Sequence, residues 1–106
     1  MAKIVEVTED VIIFDDESVI AYGHEQDCCE WNYADFKQLD DIARATEFDT
    51  KHMKFESVED AGFRFGNDNK MFFVPCYSSQ SGYYSSEISI YYNNERVLSF
   101  YAELVG

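Results

Sequence analysis

Ala34-Asp35-Phe36-Lys37-Gln38-Leu39-Asp40-Asp41-Ile42-Ala43-Arg44 is the stretch whose reading decides the fold. Phe36, Leu39, Ile42 and Ala43 fall at i, i+3, i+6 and i+7, one apolar stripe at helical period. Asp35 near the start and Arg44 near the end carry the charges that a helix dipole favours at those ends. The spacing predicts one main helix over about residues 34–44, too short to stand alone and therefore packed through its stripe. The segments with a clear pattern around it read as strand. The helix makes the predicted fold class α+β, a twisted antiparallel sheet with that helix on one face.

Upstream, Lys3 to Thr8 alternates around Ile4, Val5 and Val7 and stops at Glu9-Asp10. Val11-Ile12-Ile13-Phe14 is an apolar run closed by Asp15-Asp16, and Ser18 to Tyr22 resumes as a strand, which predicts an antiparallel meander. A bulge at Gly23 would carry the last strand on toward Trp31. Residues 45–60 fit either a strand or an irregular packing segment around Met53, Phe55 and Val58. From Gly62 the pattern is β, with a turn at Asn67-Asp68-Asn69. Pro75, near the end of the Met71–Tyr77 run, predicts an edge or a bulge. A polar loop at residues 78–82 and a strand over residues 83–92 follow. Asn93-Asn94 then turns the chain into Arg96–Tyr101. No repeat or linker interrupts the chain, so residues 1–106 read as a single domain, long enough to bury roughly 60 to 68% of its unfolded surface.

Hydrophobic residues make up 46% of the chain, with eight Tyr and nine Phe, so it is a folding sequence in spite of a net charge of −13. Residues 1–50 carry fourteen Asp/Glu and three Lys/Arg, a balance of −11, and residues 51–106 carry seven and five, a balance of −2. The acidic field belongs to the first half. Such a chain has little with which to bind nucleic acid directly, because phosphate binding rests on cations. Anionic membrane surfaces should repel it, and no apolar run approaches a membrane span. A basic protein surface is what it can attract. A solvated acidic face that only keeps the domain soluble is the plain alternative. Met1-Ala2-Lys3-Ile4-Val5-Glu6 has no signal-peptide core, which places the expected location in the cytoplasm.

The densest chemistry lies at His24-Glu25-Gln26-Asp27-Cys28-Cys29-Glu30-Trp31. Three cysteines, two of them adjacent, make no disulfide framework and read as reduced thiols. As a metal set, His24, Asp27, Cys28 and Cys29 are the candidates. In a strand, however, His24 and Cys28 would share one face and Asp27 and Cys29 the other. Adjacent cysteines do not easily bind one ion, and a second ligand pair would have to come from His52 or Cys76. The competing role is a buried small apolar cysteine among solvated charges, so no cofactor or metal is expected. Cys28 with His24 as its base is the one nucleophile pairing available. The surrounding carboxylates raise a thiol's pKa, and no oxyanion-hole or phosphate-loop signature accompanies it, so no enzymatic activity is expected. Further on, Tyr77-Ser78-Ser79-Gln80-Ser81-Gly82-Tyr83-Tyr84-Ser85-Ser86 has the composition of a binding loop, with Tyr83 and Tyr84 as contact residues. Alternation across a sheet would instead bury one of that pair.

His24-x-x-Asp27-Cys28-Cys29-Glu30 followed by Gly82-Tyr83-Tyr84-Ser85 resembles a family of small uncharacterised proteins of bacteria and their phages. The likeness covers residues 4–92 in outline. It departs at Trp31-Asn32-Tyr33 and over residues 45–70. The family offers no catalytic residues to carry over. The resemblance implies an origin in a phage or mobile element, and a shared structural or ligand site where the two motifs meet.

Together these observations predict a small acidic binding protein that inhibits a host nucleic-acid-targeting protein by occupying its basic surface, in an anti-restriction or anti-CRISPR-like role. Its candidate contact residues are Asp15, Asp16, Glu17, Glu25, Asp27, Glu30, Asp35, Asp40 and Asp41, with Tyr83 and Tyr84. A ligand- or metal-binding domain built on residues 24–29 is one alternative. A structural or assembly protein, for instance a homodimer through a sheet edge near Pro75, is another.

Overall fold

The computed structural model describes residues 1–23, 31–58, 61–68, 70–79 and 87–104, without the side chains of residues 31, 32, 79, 103 and 104. In chain order the strands are β1 (Ile4–Val7), β2 (Val11–Phe14), β3 (Val19–Gly23), β4 (Trp31–Ala34), β5 (Lys54–Val58), β6 (Gly62–Asn67), β7 (Lys70–Ser79), β8 (Glu87–Tyr92), β9 (Glu95–Tyr101) and β10 (Glu103–Leu104). One α-helix, α1 (Asp41–Ala45), and 3-10 turns at Phe36–Gln38 and Thr50–His52 complete the described chain.

The expected meander is present: β1, β2 and β3 pair antiparallel in sequence order. Thr8 shapes the first turn, its hydroxyl oxygen accepting the N–H groups of Asp10 and Val11 at 3.1 Å each. In the second turn Glu17 N–H donates to the Phe14 carbonyl at 3.0 Å, and Glu17 itself takes the left-handed conformation, with φ 75°. β8 adds to β3, and β9 to β8 across Asn93-Asn94. Both asparagines have positive φ, 51° and 72°, as a twist-matched two-residue hairpin requires. The first sheet thus runs β1-β2-β3-β8-β9.

The second sheet runs β10-β7-β6-β5, with β4 also paired to β7. The ambiguous stretch after residue 45 resolves into β5, paired with β6 from Lys54↔Gly66 to Val58↔Gly62. Inward residues of both sheets meet in one core. Ile12, Phe14, Ile20, Ile88, Ile90 and Phe100 come from the first sheet, and Ala34, Phe63, Phe65, Val74 and Cys76 from the second. Phe36, Leu39, Ala43 and Phe48 are buried with them from the connection between β4 and β5.

The architecture is therefore mostly β, two packed sheets, and not α+β with a main helix. Residues 34–44 do not form one helix. Ala34 pairs with Cys76 as the last residue of β4, Phe36–Gln38 make a single 3-10 turn, and Leu39 and Asp40 are extended, with ψ 135° and 134°. Asp40, expected inside the helix, starts a new one: its carboxylate accepts the Ile42 N–H at 2.9 Å, and α1 lasts five residues. Aspartate competes for backbone donors in helix interiors and satisfies them at N-caps, so an Asp-Asp pair marks a start and not a continuation. The apolar stripe was real in part, since Phe36, Leu39 and Ala43 are buried, whereas Ile42 is 63% exposed.

Pro75 marks the end of the β4 pairing and carries no bulge. Its carbonyl accepts the Asp35 N–H at 2.8 Å, while the next residue, Cys76, donates its N–H to Ala61 at 2.9 Å. Successive residues of a strand address opposite edges, so β7 has neighbours on both sides here. The register with β6 passes through Gly62↔Pro75 without a shift. The proline sits where its missing N–H faces the end of β4, and beyond it, over Lys70–Val74, the described pairings of β7 are with β6 alone. Among the described residues no helix is long and apolar enough to cross a membrane.

Candidate functional site

The acidic candidates fall into two described groups. Asp15, Asp16 and Glu17 form the exposed tip of the β2–β3 hairpin. Asp16 is engaged there: it accepts the Ser18 N–H at 3.0 Å and the Thr50 hydroxyl. The Thr50 bond above all, then the Ser18 amide, holds its carboxyl below the usual range. Asp35, Asp40 and Asp41 form the second group. Asp35 is half-buried and accepts Gln38 Nε2 at 2.7 Å, Asp40 caps α1, and Asp41 is exposed in the first helical turn. Asp15, Glu17 and Asp41 are the exposed carboxylates of these groups with no hydrogen-bonding duty shown. Glu25, Asp27, Glu30, Tyr83 and Tyr84, and the metal candidates His24, Asp27, Cys28 and Cys29, lie outside the described residues, as does Ser85.

The strands that bound those two motif segments are well placed. The chain enters the first segment from Gly23 and leaves it at Trp31; it enters the second from Ser79 and leaves it at Glu87. Trp31 is the register partner of Ser79, and Gly23 is that of Ser89. Each segment therefore joins one sheet to the other, and their ends adjoin.

Beside this junction the β1–β2 turn and the start of the second sheet enclose a cleft of about 340 Å³. Glu9 and Asp10 line it from the turn, Tyr22 from β3, Tyr33 and Ala34 from β4, and Asp35 and Lys37 from the residues after β4. Lys37 Nζ stands 3.6 Å from Glu9 Oε1. The Tyr22 ring meets Phe36 edge-on at 5.8 Å, and the Tyr33 ring tilts against Tyr77 at 5.6 Å. Burial first, then the charges of Asp10 and Glu9, push the Tyr22 hydroxyl above its ordinary pKa. Burial and then Asp35 do the same to Tyr33. Both phenols stay neutral at physiological pH.

Cys76 and His52 are the other reactive groups described. Cys76 is fully buried, and its thiol is pushed far up by that burial and then by Asp35, so it is no nucleophile. His52 is exposed and paired with Asp49 at 2.8 Å. A second concavity of about 530 Å³, between the N-terminus and the β6–β7 turn, mixes Lys54, Lys70 and His52 with Glu47, Asp49 and Asp68. Lys54 is already ion-paired with Asp68 there. Among the described residues no three His, Cys, Asp or Glu side chains are grouped to hold a metal ion.

Sequence reasoning missed Glu9, Asp10, Tyr22 and Tyr33. Glu9 and Asp10 sit in a turn and Tyr22 and Tyr33 within short strands, and the approach of β4 to β3 across the two sheets collects them. No curated protein and no solved structure matches the chain. The family model described as Domain of unknown function (DUF7448) matches residues 1–90, from the first strand into β8. With most of its length so matched, the chain belongs to the DUF7448 family.

Proposed function

We propose that this chain is a non-enzymatic acidic binding protein, encoded by a phage or mobile element, that inhibits a nucleic-acid-targeting protein of its host by occupying a basic surface, in the manner of anti-restriction or anti-CRISPR inhibitors. The observation that carries it is the charge distribution, −11 over residues 1–50 within a total of −13, together with the exposure of Asp15, Glu17 and Asp41 on the folded domain. Clustered exposed carboxylates steer a cationic partner and favour association at low salt.

The test separates charge from structure. Asp16 and Asp40 are left alone because one ties down the hairpin and the other caps α1. The triple variant Asp15→Asn, Glu17→Gln, Asp41→Asn keeps the fold and slows association with the captured host protein by about tenfold at low salt, with a flatter salt dependence. Pull-down from host lysate at low and high salt identifies the partner, and stopped-flow kinetics reads the variant. Unchanged kinetics would sink the electrostatic mimic.

A second reading is favoured by the adjoining ends of the two motif segments: a ligand or metal site that draws on His24, Asp27, Cys28 and Cys29. It predicts stoichiometric zinc in protein purified without chelators and a raised Tm on adding zinc. Metal-free protein whose melting ignores zinc removes it.

A further inference from the structure

The cleft between the β1–β2 turn and β4 has two features that a merely solvated acidic face lacks. It is concave, at about 340 Å³, near the lower end of the volumes that hold small ligands. Its walls are aromatic as well as anionic, with Tyr22 and Tyr33 beside Glu9, Asp10 and Asp35. The tyrosines are half-buried and neutral, so they line the cleft with aromatic surface and add no charge of their own. Desolvation strengthens cation–π attraction.

The carboxylates are positioned from separate elements. Thr8 fixes the backbone that carries Glu9 and Asp10, and Gln38 holds Asp35 at 2.7 Å while reaching Tyr77 Oη at 3.3 Å. The chain already places one cation at this site. The exposed Lys37 ammonium stands 3.6 Å from Glu9, too long for a tight pair, and both side chains are largely solvated. An incoming planar cation can displace it, stack on a tyrosine and take a carboxylate with two parallel donors, which a lysine cannot do.

We propose that this cleft is a guanidinium receptor, which takes the side chain of an arginine presented by a cationic partner. The inference rests on the proposed function only for the source of the arginine. The volume accommodates one long side chain, so this pocket would fix the register of a larger electrostatic contact.

The test is a two-dimensional NMR titration of the full chain with Nα-acetyl-arginine methylamide, with the citrulline analogue as neutral control and a short arginine-containing basic peptide as a third probe. Saturable shifts confined to residues near 9–10, 22 and 33–37, seen with arginine and absent with citrulline, are expected. Lys37→Met, at an exposed position, should tighten binding about threefold by removing the internal competitor, and Tyr33→Leu should weaken it about fivefold. Tighter binding of the peptide than of the single residue assigns the source to a protein segment, whereas equal affinity assigns it to a free guanidinium compound. Equal shifts with arginine and citrulline, or no change in affinity in folded Lys37→Met, overturn the proposal. Loss of salt-sensitive protein capture with the arginine titration intact would end the broader inhibitor reading and leave the cleft standing.

Discussion

Gly66→Ala is expected to remove about 3 kcal/mol of folding stability, enough to lower Tm by roughly 15 °C in a domain of this size. Gly66 lies in β6 with φ +147°, a region in which side chains are strained, and a Cβ built there would stand 2.0 Å from the Lys70 carbonyl oxygen. That oxygen belongs to the neighbouring strand's backbone, so it cannot swing aside as a side chain does. The β6–β7 ladder must open locally to make room, and β5 is paired to the same residue on its far side, Lys54↔Gly66. Gly23→Ala is the matched control. Its Cβ would meet the Tyr91 ring edge at 2.9 Å with no unusual φ, and a ring edge can move, so the cost there should stay below about 1 kcal/mol. Urea unfolding of both variants decides the matter. A Gly66→Ala protein as stable as the Gly23→Ala protein would show that the β6–β7 ladder yields where the geometry says it cannot.

Phe48→Ala is expected to cost about 3–5 kcal/mol, a large part of the roughly 5–15 kcal/mol that holds a typical domain together. Phe48 is fully buried, and its ring meets Phe14 of the first sheet at 5.6 Å and Phe65 and Phe72 of the second at 5.7 Å each. It therefore fills the space between the layers instead of extending either. Its backbone is held by a reciprocal pair with Ala2, Ala2 N–H to Phe48 at 2.9 Å and Phe48 N–H to Ala2 at 2.7 Å. A backbone so fixed cannot collapse into the cavity left by truncation, which puts the expected loss at the upper part of the range. Phe48→Leu, which keeps most of the volume, should lose less than half as much. Thermal and urea denaturation of the two variants checks the ordering; equal losses would mean that the site does not bridge the sheets.

The strands were legible because their signals are local. Ile12 and Phe14 alternate with Ile13, and Phe63 and Phe65 flank Arg64. Asn93-Asn94 has the chemistry that a two-residue hairpin favours outside glycine. The segment at 34–44 misled for an equally local reason. Its apolar spacing is helical, but the bond from Asp35 to Pro75 and the pairing of Ala34 with Cys76 are contacts to residues forty positions away, which periodicity does not see. Pro75 was legible only in part, because its tolerance depends on which edge its missing donor faces. Of the acidic candidates, composition identified the charge but not the duty. Asp16 and Asp40 spend theirs on Thr50 and on the start of α1, while the cleft recruits Glu9 and Asp10, which sequence treated as punctuation.

The crossing of the chain from β3 to β4 and back from β7 to β8 has a kinetic consequence. The first three strands can zip as consecutive hairpins as soon as they exist, whereas Ile20 must wait for Tyr92 before β3 gains its second neighbour. Closing so long a loop is slow compared with hairpin formation, and it falls late in synthesis, after β4 to β7 have left the ribosome. Until then the edge of β3 is open and the core lacks Ile88, Ile90 and Phe100 beside Ile12, Phe14 and Ile20. The carboxylates of the β2–β3 tip would then act as gatekeepers, repelling neighbouring nascent chains from an unfinished edge.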